Sequence, residues 1–299
     1  MLRLPLLILA SFAASSLARP PLAPLMEQQV ADNASRYWQV GIAVISCNED
    51  SLLFGWHEAT PLKPASNQKL LVTTMALDYW DDSLARELDS KLAETPTRKH
   101  RIIADRARAE SLGFFSHPEL PGYHHLVLAN RESDNDEAEW MLHILARRLN
   151  KAPWNLVYEH LDQWNVPRKG LRLWDGCGVG RRNRTSPLTF ATLLARMHRE
   201  PLADLFKSTL ARPGRPGTLI RTKLDVGDRL RAKTGYIRDV FALSGYLSSP
   251  NDTFAFSFIL NGCGSGKLAY GFFNKLLNTI QAWDRGTGQA TGTTGFKGQ

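Results

Sequence analysis

The pattern of apolar and polar residues places strands at both ends of the chain. The run WQVGIAVISC (38–47) is almost continuously apolar and rich in β-branched residues, which is typical of a buried strand. After the turn CNED, a second strand-like run, SLLFGW (51–56), follows. The short polar connector predicts that the two runs form a hairpin.

Three further strand-like runs lie toward the carboxyl end. They are DRLRAKTGY (228–236), DVFALSGYLS (239–248) and TFAFSFILNGC (253–263). The connectors between them are short, which favours antiparallel neighbours. Together with the hairpin, they predict one sheet of about five mostly antiparallel strands.

Helical patterns fill the remainder of the chain. Amphipathic stretches predict helices at 24–37 and 267–283, which would cover one face of the sheet together. The region 80–230 is mostly helical and loop-like, with 137–149 its clearest helix, and a further helix is expected over 66–79. The predicted fold class is therefore α/β, of the α+β kind, with flanking helices and a helical subdomain.

The chain has 299 residues and is 43% hydrophobic, which suffices for a substantial core. We predict one domain over residues 19–283, divided into a sheet lobe (24–60 and 220–283) and a helical lobe (61–219). The polar, Gly/Thr-rich segment 284–299 is predicted to be a flexible tail.

The first residues have the pattern of an export signal. A basic residue, Arg3, precedes an apolar run from Leu4 to Ala14, and small residues end at Ala18. We expect residues 1–18 to be a cleaved signal peptide and the protein to be periplasmic. The apolar run is too short for an anchor and no later run could span a bilayer, so no transmembrane anchor is expected.

Charge and cysteine content narrow the possible partners. The formal net charge is +8, but the densest basic stretch, 97–110, is interleaved with acids and lacks aromatic residues, so no nucleic-acid partner is expected. Cys47, Cys177 and Cys263 cannot all pair within one chain, although one disulfide remains possible. None has metal-ligand spacing, and we predict neither a metal nor a cofactor.

The segment PASNQKLLVTTMAL (64–77) carries the first candidate chemistry. Ser66 and Lys69 are one helical turn apart and would share a helix face near its positive N-terminal end. A serine hydroxyl becomes a good nucleophile when a base takes its proton, and burial or a second cation can make a lysine that base. In the alternative interpretation, Ser66 caps the helix and Lys69 is a surface charge.

Two other short motifs supply possible partners. Lys233, Thr234 and Gly235 lie on the first of the rear strands, where a glycine lets another element approach the backbone. An ordinary edge strand with a polar face is the alternative. Ser133 and Asn135 lie in a loop before the helix at 137–149, where helix capping would also explain them.

These motifs resemble those of the penicillin-recognising serine enzymes, which have Ser-x-x-Lys, Ser-x-Asn and Lys-Thr-Gly in that order. Their flanks, PASNQKLLVTTMAL, ESDNDEAEWML and LRAKTGYIRDVFALSGYL, are similar to the D-alanyl-D-alanine carboxypeptidase/endopeptidase family of low-molecular-mass penicillin-binding proteins. DGCGVGRRNRTSP (175–187) is similar to a further landmark of that family. The resemblance covers 38–263 in outline and implies a β-lactamase/transpeptidase-like fold in a shortened form without inserted domains.

The resemblance also implies roles for the catalytic residues. Ser66 would attack the penultimate D-alanine carbonyl of a peptidoglycan stem peptide and form an acyl-enzyme. Lys69 would take the serine proton, and Ser133 would relay a proton to the leaving amine. Asn135 would orient Lys69 and the substrate amide. Carboxypeptidase and endopeptidase actions begin with the same acyl-enzyme and stay open here.

Substrate binding would fall to the rear strand and the nucleophile segment. Lys233, which would also hold Ser133, and Thr234 would bind the terminal carboxylate of the substrate. Gly235 belongs to the same substrate-binding strand. The backbone N–H groups of Ser66 and Tyr236 would form the oxyanion hole. The implied partners are peptidoglycan stem peptides, with β-lactam antibiotics as inhibitors.

The sequence departs from the family pattern in three places. Residues 66 and 133 are 67 positions apart, whereas the family typically has large inserted domains there. Cys177 and Gly180 replace landmark serines, so some loosening of the loop is expected. Tyr236 replaces a Thr or Ser after Lys-Thr-Gly. These changes keep open an alternative function: a non-catalytic module that binds peptidoglycan or a partner.

The short spacing also resembles that of a class A β-lactamase. Those enzymes use a glutamate that an asparagine follows four residues later. Between Ser133 and Lys233, the residues four positions after each glutamate are Met141, His143, Gln163 and Asp204. None is an asparagine, so a serine β-lactamase ranks below the carboxypeptidase.

Overall fold

The centre of the protein is a five-stranded antiparallel sheet, seen in a computed structural model that describes residues 21–94, 100–117 and 119–286. The strands are β1 (Gln39–Ser46), β2 (Ser51–Trp56), β3 (Leu230–Ile237), β4 (Val240–Ser248) and β5 (Thr253–Asn261). Their order in space is β2-β1-β5-β4-β3, and every neighbouring pair is antiparallel. The predicted sheet is confirmed.

Helices lie before, between and after the two groups of strands. The described helices are α1 (Leu22–Asn33), α2 (Lys69–Asp78), α3 (Asp82–Glu94), α4 (His100–Ala104), α5 (Arg106–Ser111), α6 (Tyr123–Asn130), α7 (Asn135–Arg148), α8 (Pro153–Gln163), α9 (Pro187–Met197), α10 (Ala203–Ser208) and α11 (Gly266–Asp284). Two 3₁₀ turns, Ala65–Gln68 and Gly227–Arg229, precede α2 and β3.

Alternate residues of the central strands enter two separate cores. Val44 and Phe256 are register partners on β1 and β5, and both face the core that contains α1 and α11. Their neighbours Ile45 and Ala255, also register partners, face the core that contains α2, α6, α7, α8 and α9. This period-2 division explains why the strand runs are almost continuously apolar, because both faces of the sheet are covered.

The two terminal helices pack together on one face, as the sequence predicts. On the other face, α9 lies directly against β1 and β5. Its start is fixed locally, because Ser186 accepts a hydrogen bond from the N–H of Thr189 (3.1 Å) and Pro187 occupies the first helical position. Gly41 of β1 makes room for this helix, since a Cβ there would lie 2.7 Å from a Pro187 side-chain carbon.

Some predicted boundaries are wrong. Helix α1 ends at Asn33 rather than at residue 37, because a turn that closes with a hydrogen bond from Trp38 N to the Ser35 carbonyl leads into β1. The stretch predicted as a helix from residue 66 begins as a 3₁₀ turn. Helix α11 continues to Asp284, whose carboxylate accepts the N–H of Asn251 (3.1 Å).

The proposed signal segment 1–18 lies outside the described residues, and so does the predicted tail from 287 onward. Among the helices described, none combines the length and apolar character that crossing a bilayer requires.

The core beneath α11 gives a direct test of this packing. Phe258 is fully buried, with its ring centroid 4.7 Å from that of Phe256 and 5.8 Å from that of Phe273. Phe258→Ala should lower the free energy of unfolding by about 3–5 kcal/mol, because it removes buried contacts and leaves a cavity. Urea denaturation measures this loss. Leu52→Ala, at a position 47% exposed on the edge strand β2, is the control. An equal loss in both variants would contradict the packing.

Candidate active site

Ser66 lies in the 3₁₀ turn that leads into α2, and Lys69 is the first residue of α2. Side chains at positions i and i+3 eclipse one another in a 3₁₀ turn, which brings these two side chains together. Lys69 Nζ lies 3.0 Å from Ser66 Oγ. Lys69 is fully buried, whereas Ser66 keeps 8% of its surface exposed. Solvent is therefore excluded more completely from Lys69 than from Ser66.

Three oxygens surround the Lys69 amine. Besides Ser66 Oγ, it donates to Asn135 Oδ1 (2.8 Å) and to the carbonyl of Cys177 (2.8 Å). The last two oxygens can only accept. A neutral amine satisfies both with its two N–H groups and directs its lone pair at the serine hydroxyl, which can then donate. Burial disfavours a charged amine, so this geometry suits a base.

The second buried amine belongs to Lys233 on β3. It donates to Ser133 Oγ (2.8 Å) and to the carbonyl of Thr234 (3.0 Å). Ser133 has a φ of +59°, a left-handed conformation that side chains other than glycine adopt rarely. Asp134 then caps α7 by accepting the N–H of Asp136 (3.0 Å). This sharp turn directs Ser133 toward one lysine and Asn135 toward the other.

Strand β3 lies at the edge of the sheet and packs against the 3₁₀ turn. A Cβ on Gly235 would lie 2.8 Å from the carbonyl oxygen of Pro64, so the glycine permits this approach. On the outer side of β3, Ala232 exchanges two backbone hydrogen bonds with Ala211 (3.0 and 3.1 Å). Backbone groups of alternate residues point the same way, so the N–H of Tyr236 also points to the outer side.

The structure thus brings Ser66, Lys69, Ser133, Asn135 and Lys233 together. The remaining predicted residues follow Lys233 on β3. Thr234 is buried, Gly235 contacts the 3₁₀ turn, and the Tyr236 side chain is 65% exposed. The ring of Tyr236 lies 4.9 Å from that of Phe241.

A buried polar chain beneath the 3₁₀ turn was missed by the sequence reasoning. Asn67 donates through Nδ2 to Ser244 Oγ (2.6 Å), and Ser244 donates to Ser257 Oγ (2.8 Å). These residues fasten the turn to β4 and β5. Ser244 and Ser257 are a weak signal in the sequence, because a serine within a strand usually indicates a position exposed on the surface.

The loop 174–183 is held by the side chains of Asp175 and Asn183, which belong to the landmark segment 175–187 but were not predicted as site residues. Asp175 accepts hydrogen bonds from the N–H groups of Gly178 and Gly180 and from Asn183 Nδ2 (3.0 Å). Asn183 accepts the N–H of Trp174 (2.7 Å). At the two substituted positions, the N–H of Gly180 and the thiol of Cys177 (3.6 Å) both contact Asp175, so the loop has contacts there without the landmark serines.

Cys177 acts on the site through its carbonyl. Its N–H donates to Glu139 Oε1 (2.8 Å), which fixes the peptide next to Lys69. Burial raises the pKa of its thiol to about 12, so the thiol is uncharged at neutral pH. All three cysteines are buried and free, so the disulfide that the sequence left open is not formed.

Comparisons with known proteins agree with this arrangement. A family model described as the D-Ala-D-Ala carboxypeptidase 3 (S13) family matches residues 82–270, more than half of the chain. A D-alanyl-D-alanine carboxypeptidase from an Actinomadura species is 31% identical over 175 residues, which are 54% of this chain and 32% of that protein. The matched part therefore spans about a third of that relative's length.

Solved structures share the fold. Penicillin binding protein 4 from Haemophilus influenzae, solved with a β-lactam, superposes with a TM-score of 0.65 at 12% identity, over 86% of this chain and 99% of that one. A class A β-lactamase from Bacteroides cellulosilyticus superposes with a TM-score of 0.60 at 14% identity, over 88% and 99%. The predicted β-lactamase/transpeptidase-like fold is confirmed.

Gly178 tests whether the loop positions the serine. It has a φ of +86°, and a Cβ there would lie only 1.9 Å from the carbonyl oxygen of Ala65. Gly178→Ala should displace the 3₁₀ turn and slow covalent labelling of the protein by a fluorescent penicillin by about 100-fold, since misplacement of about 1 Å has effects of that size.

Gly214→Ala is the matched control for this variant. Gly214 has a φ of +69°, but no atom of the described residues lies within 4 Å of the place that a Cβ would occupy. The alanine there bears the backbone strain without the collision. Equal labelling rates in the two variants would show that the loop does not position Ser66.

Proposed function

We propose, from the premise that the chain belongs to the D-Ala-D-Ala carboxypeptidase 3 (S13) family, that it is a serine D-Ala-D-Ala carboxypeptidase that acts through an acyl-enzyme on Ser66. The observation that carries the proposal is a pair of buried amines, each in contact with a serine hydroxyl. Lys69 contacts Ser66 at 3.0 Å, and Lys233 contacts Ser133 at 2.8 Å. A structural role alone would not require two desolvated lysines side by side with two hydroxyls.

In the first step, Ser66 Oγ attacks the carbonyl carbon of the penultimate D-alanine, and Lys69 accepts the hydroxyl proton. The contact at 3.0 Å supports direct transfer. Asn135 and the Cys177 carbonyl keep the two N–H groups of the neutral amine engaged, so that its lone pair stays directed at the serine.

In the second step, the C–N bond breaks and the terminal D-alanine leaves as an amine, which needs a proton. Ser133 supplies that proton and is reprotonated at the expense of Lys69, which gives up the proton that it took from Ser66. Its contact with Lys233 supports this relay, since a nearby cation makes a hydroxyl a better proton donor. Water then hydrolyses the ester on Ser66 and releases the shortened peptide.

Substrate recognition is assigned to β3. The amine of Lys233 and the hydroxyl of Thr234 would bind the terminal carboxylate. The N–H groups of Ser66 and Tyr236 would stabilise the oxyanion, a contribution of about 10²–10³ in rate for each donor. The outward direction of the Tyr236 N–H on the edge strand supports this role. A backbone donor also explains how a tyrosine can follow Lys-Thr-Gly.

The substrate we propose is the stem peptide of peptidoglycan, met in the periplasm after export. β-Lactams would acylate the same serine and act as inhibitors. An endopeptidase action on cross-linked stems would use the same acyl-enzyme.

Two contacts in the altered loop favour the enzyme over a non-catalytic binding module. The Cys177 carbonyl still accepts a hydrogen bond from Lys69, and the Gly180 N–H still donates to Asp175, so these contacts do not need the lost hydroxyls.

A β-lactamase function is less well supported. The likeness to β-lactamases concerns the fold, and the Glu-Asn pair expected of that class is absent from the sequence between Ser133 and Lys233.

Release of D-alanine from a synthetic stem peptide that ends in D-Ala-D-Ala tests this function. Ser66→Ala should lower kcat/KM by at least about 1,000-fold, because the acyl-enzyme cannot form. The loss should occur without unfolding, since one oxygen is removed at a partly accessible site.

Ser90→Ala is the control, because Ser90 is an exposed serine on α3. Its kcat/KM should equal that of the unmodified protein. If the unmodified protein released no D-alanine and bound the peptide intact, the binding module would be the better description.

A further inference from the structure

A second cluster of ionisable side chains lies between the helices α3, α6 and α7, apart from the elements that carry Ser66. It comprises Asp89 on α3, His124 and His125 on α6, and Glu137 on α7. Both histidines and Glu137 are buried, whereas the Asp89 side chain is 53% exposed. No motif in the sequence points to these residues, and the mechanism proposed above does not use them.

The two histidines converge on one atom. The Nε2 atoms of His124 and His125 each lie 3.1 Å from Asp89 Oδ1. Consecutive residues of a helix do not face one another, so both rings have to turn toward the same carboxylate. The ring centroids are 4.1 Å apart. The ligand atoms of a tetrahedral zinc site, with bonds of about 2.0–2.2 Å, are separated by about 3.3–3.6 Å. The observed spacing is close to that.

Glu137 fixes the orientation of His125. His125 Nδ1 lies 2.9 Å from Glu137 Oε2, and both side chains are fully buried. With Nδ1–H donating to this carboxylate, Nε2 is the ring nitrogen that faces Asp89. A carboxylate behind the imidazole is the usual orienting arrangement for a metal-binding histidine.

His124 supplies an independent observation. Its Nε2 is buried and makes no hydrogen bond of acceptable geometry with the described residues, although it lies beside the Asp89 carboxylate. Buried polar atoms generally have a partner, and an ion between the three side chains would provide one.

The charge of the cluster also favours a cation, because the carboxylates of Asp89 and Glu137 lie 3.1 Å and 2.9 Å from the two ring nitrogens of His125.

We infer that Asp89, His124 and His125 form a binding site for a divalent transition-metal ion of the zinc class, with Glu137 as the carboxylate that orients His125. The exposed side of Asp89 leaves room for water as the fourth ligand. Binding displaces the Nε2 proton of His125. The ion would join α3 to α6 and, through Glu137, to the helix that begins with Asn135. This departs from the absence of metal that the cysteine spacing predicts, because no cysteine takes part.

Equilibrium dialysis of the full chain, without a histidine tag and after chelator treatment, tests the site with Zn²⁺ alone. One Zn²⁺ per chain is expected. Asp89→Asn and His124→Ala should each weaken binding by at least about tenfold. His143→Ala is the matched control, because His143 is an exposed histidine that lies 3.6 Å from a single carboxylate, Glu139. Its affinity for Zn²⁺ should equal that of the unmodified chain.

Co²⁺ provides a second readout, since tetrahedral coordination gives intense visible absorption that Asp89→Asn should remove. Asp89 is exposed and asparagine keeps its shape, so this variant stays folded, which circular dichroism verifies. The inference is overturned if the unmodified chain binds no stoichiometric Zn²⁺, or if Asp89→Asn and His124→Ala bind it as tightly as His143→Ala.

Discussion

The burial of two lysine amines in one site is the constraint on which the rest of this structure depends. Removal of an amine from water is expensive unless hydrogen-bond partners replace the solvent. Here the acceptors come from distant parts of the chain: the 3₁₀ turn, the first residue of α7, the loop at Cys177 and the backbone of β3. The fold must bring these elements together before either lysine can be buried, so the site and the fold stabilise each other.

The close approach of these elements explains the unusual backbone around them. Gly178 and Gly235 lie where a Cβ would collide with the carbonyls of Ala65 and Pro64. Ala65 and Ser133, which have side chains, adopt φ values of +48° and +59°. Such conformations cost about 1–3 kcal/mol each and persist where the surroundings enforce them. These two conformations lie beside the side chains of Ser66 and Lys233 and hold the candidate site in one arrangement.

Much of the fold could be predicted from the sequence, because its strands are buried on both faces and therefore read as apolar runs. The position of α1 and α11 on one face could also be predicted, whereas the pairing of β1 with β5 could not, because strands that are apolar on both faces do not indicate their neighbours. The five central site residues could be proposed because they occur in short motifs. Asp175 and Asn183 lie in the landmark segment 175–187, but the sequence did not show that they hydrogen-bond one another and the loop backbone. Asn67 could not be proposed, since its contact is with a strand distant in the chain. The cluster around Asp89 was missed for the same reason.

Intact-protein mass spectrometry of the chain after treatment with benzylpenicillin tests most directly whether Ser66 is an activated nucleophile. We expect one penicilloyl adduct per chain, mapped by peptide analysis to the segment that contains Ser66. An unmodified mass at saturating penicillin, or an adduct on another residue, would contradict this mechanism.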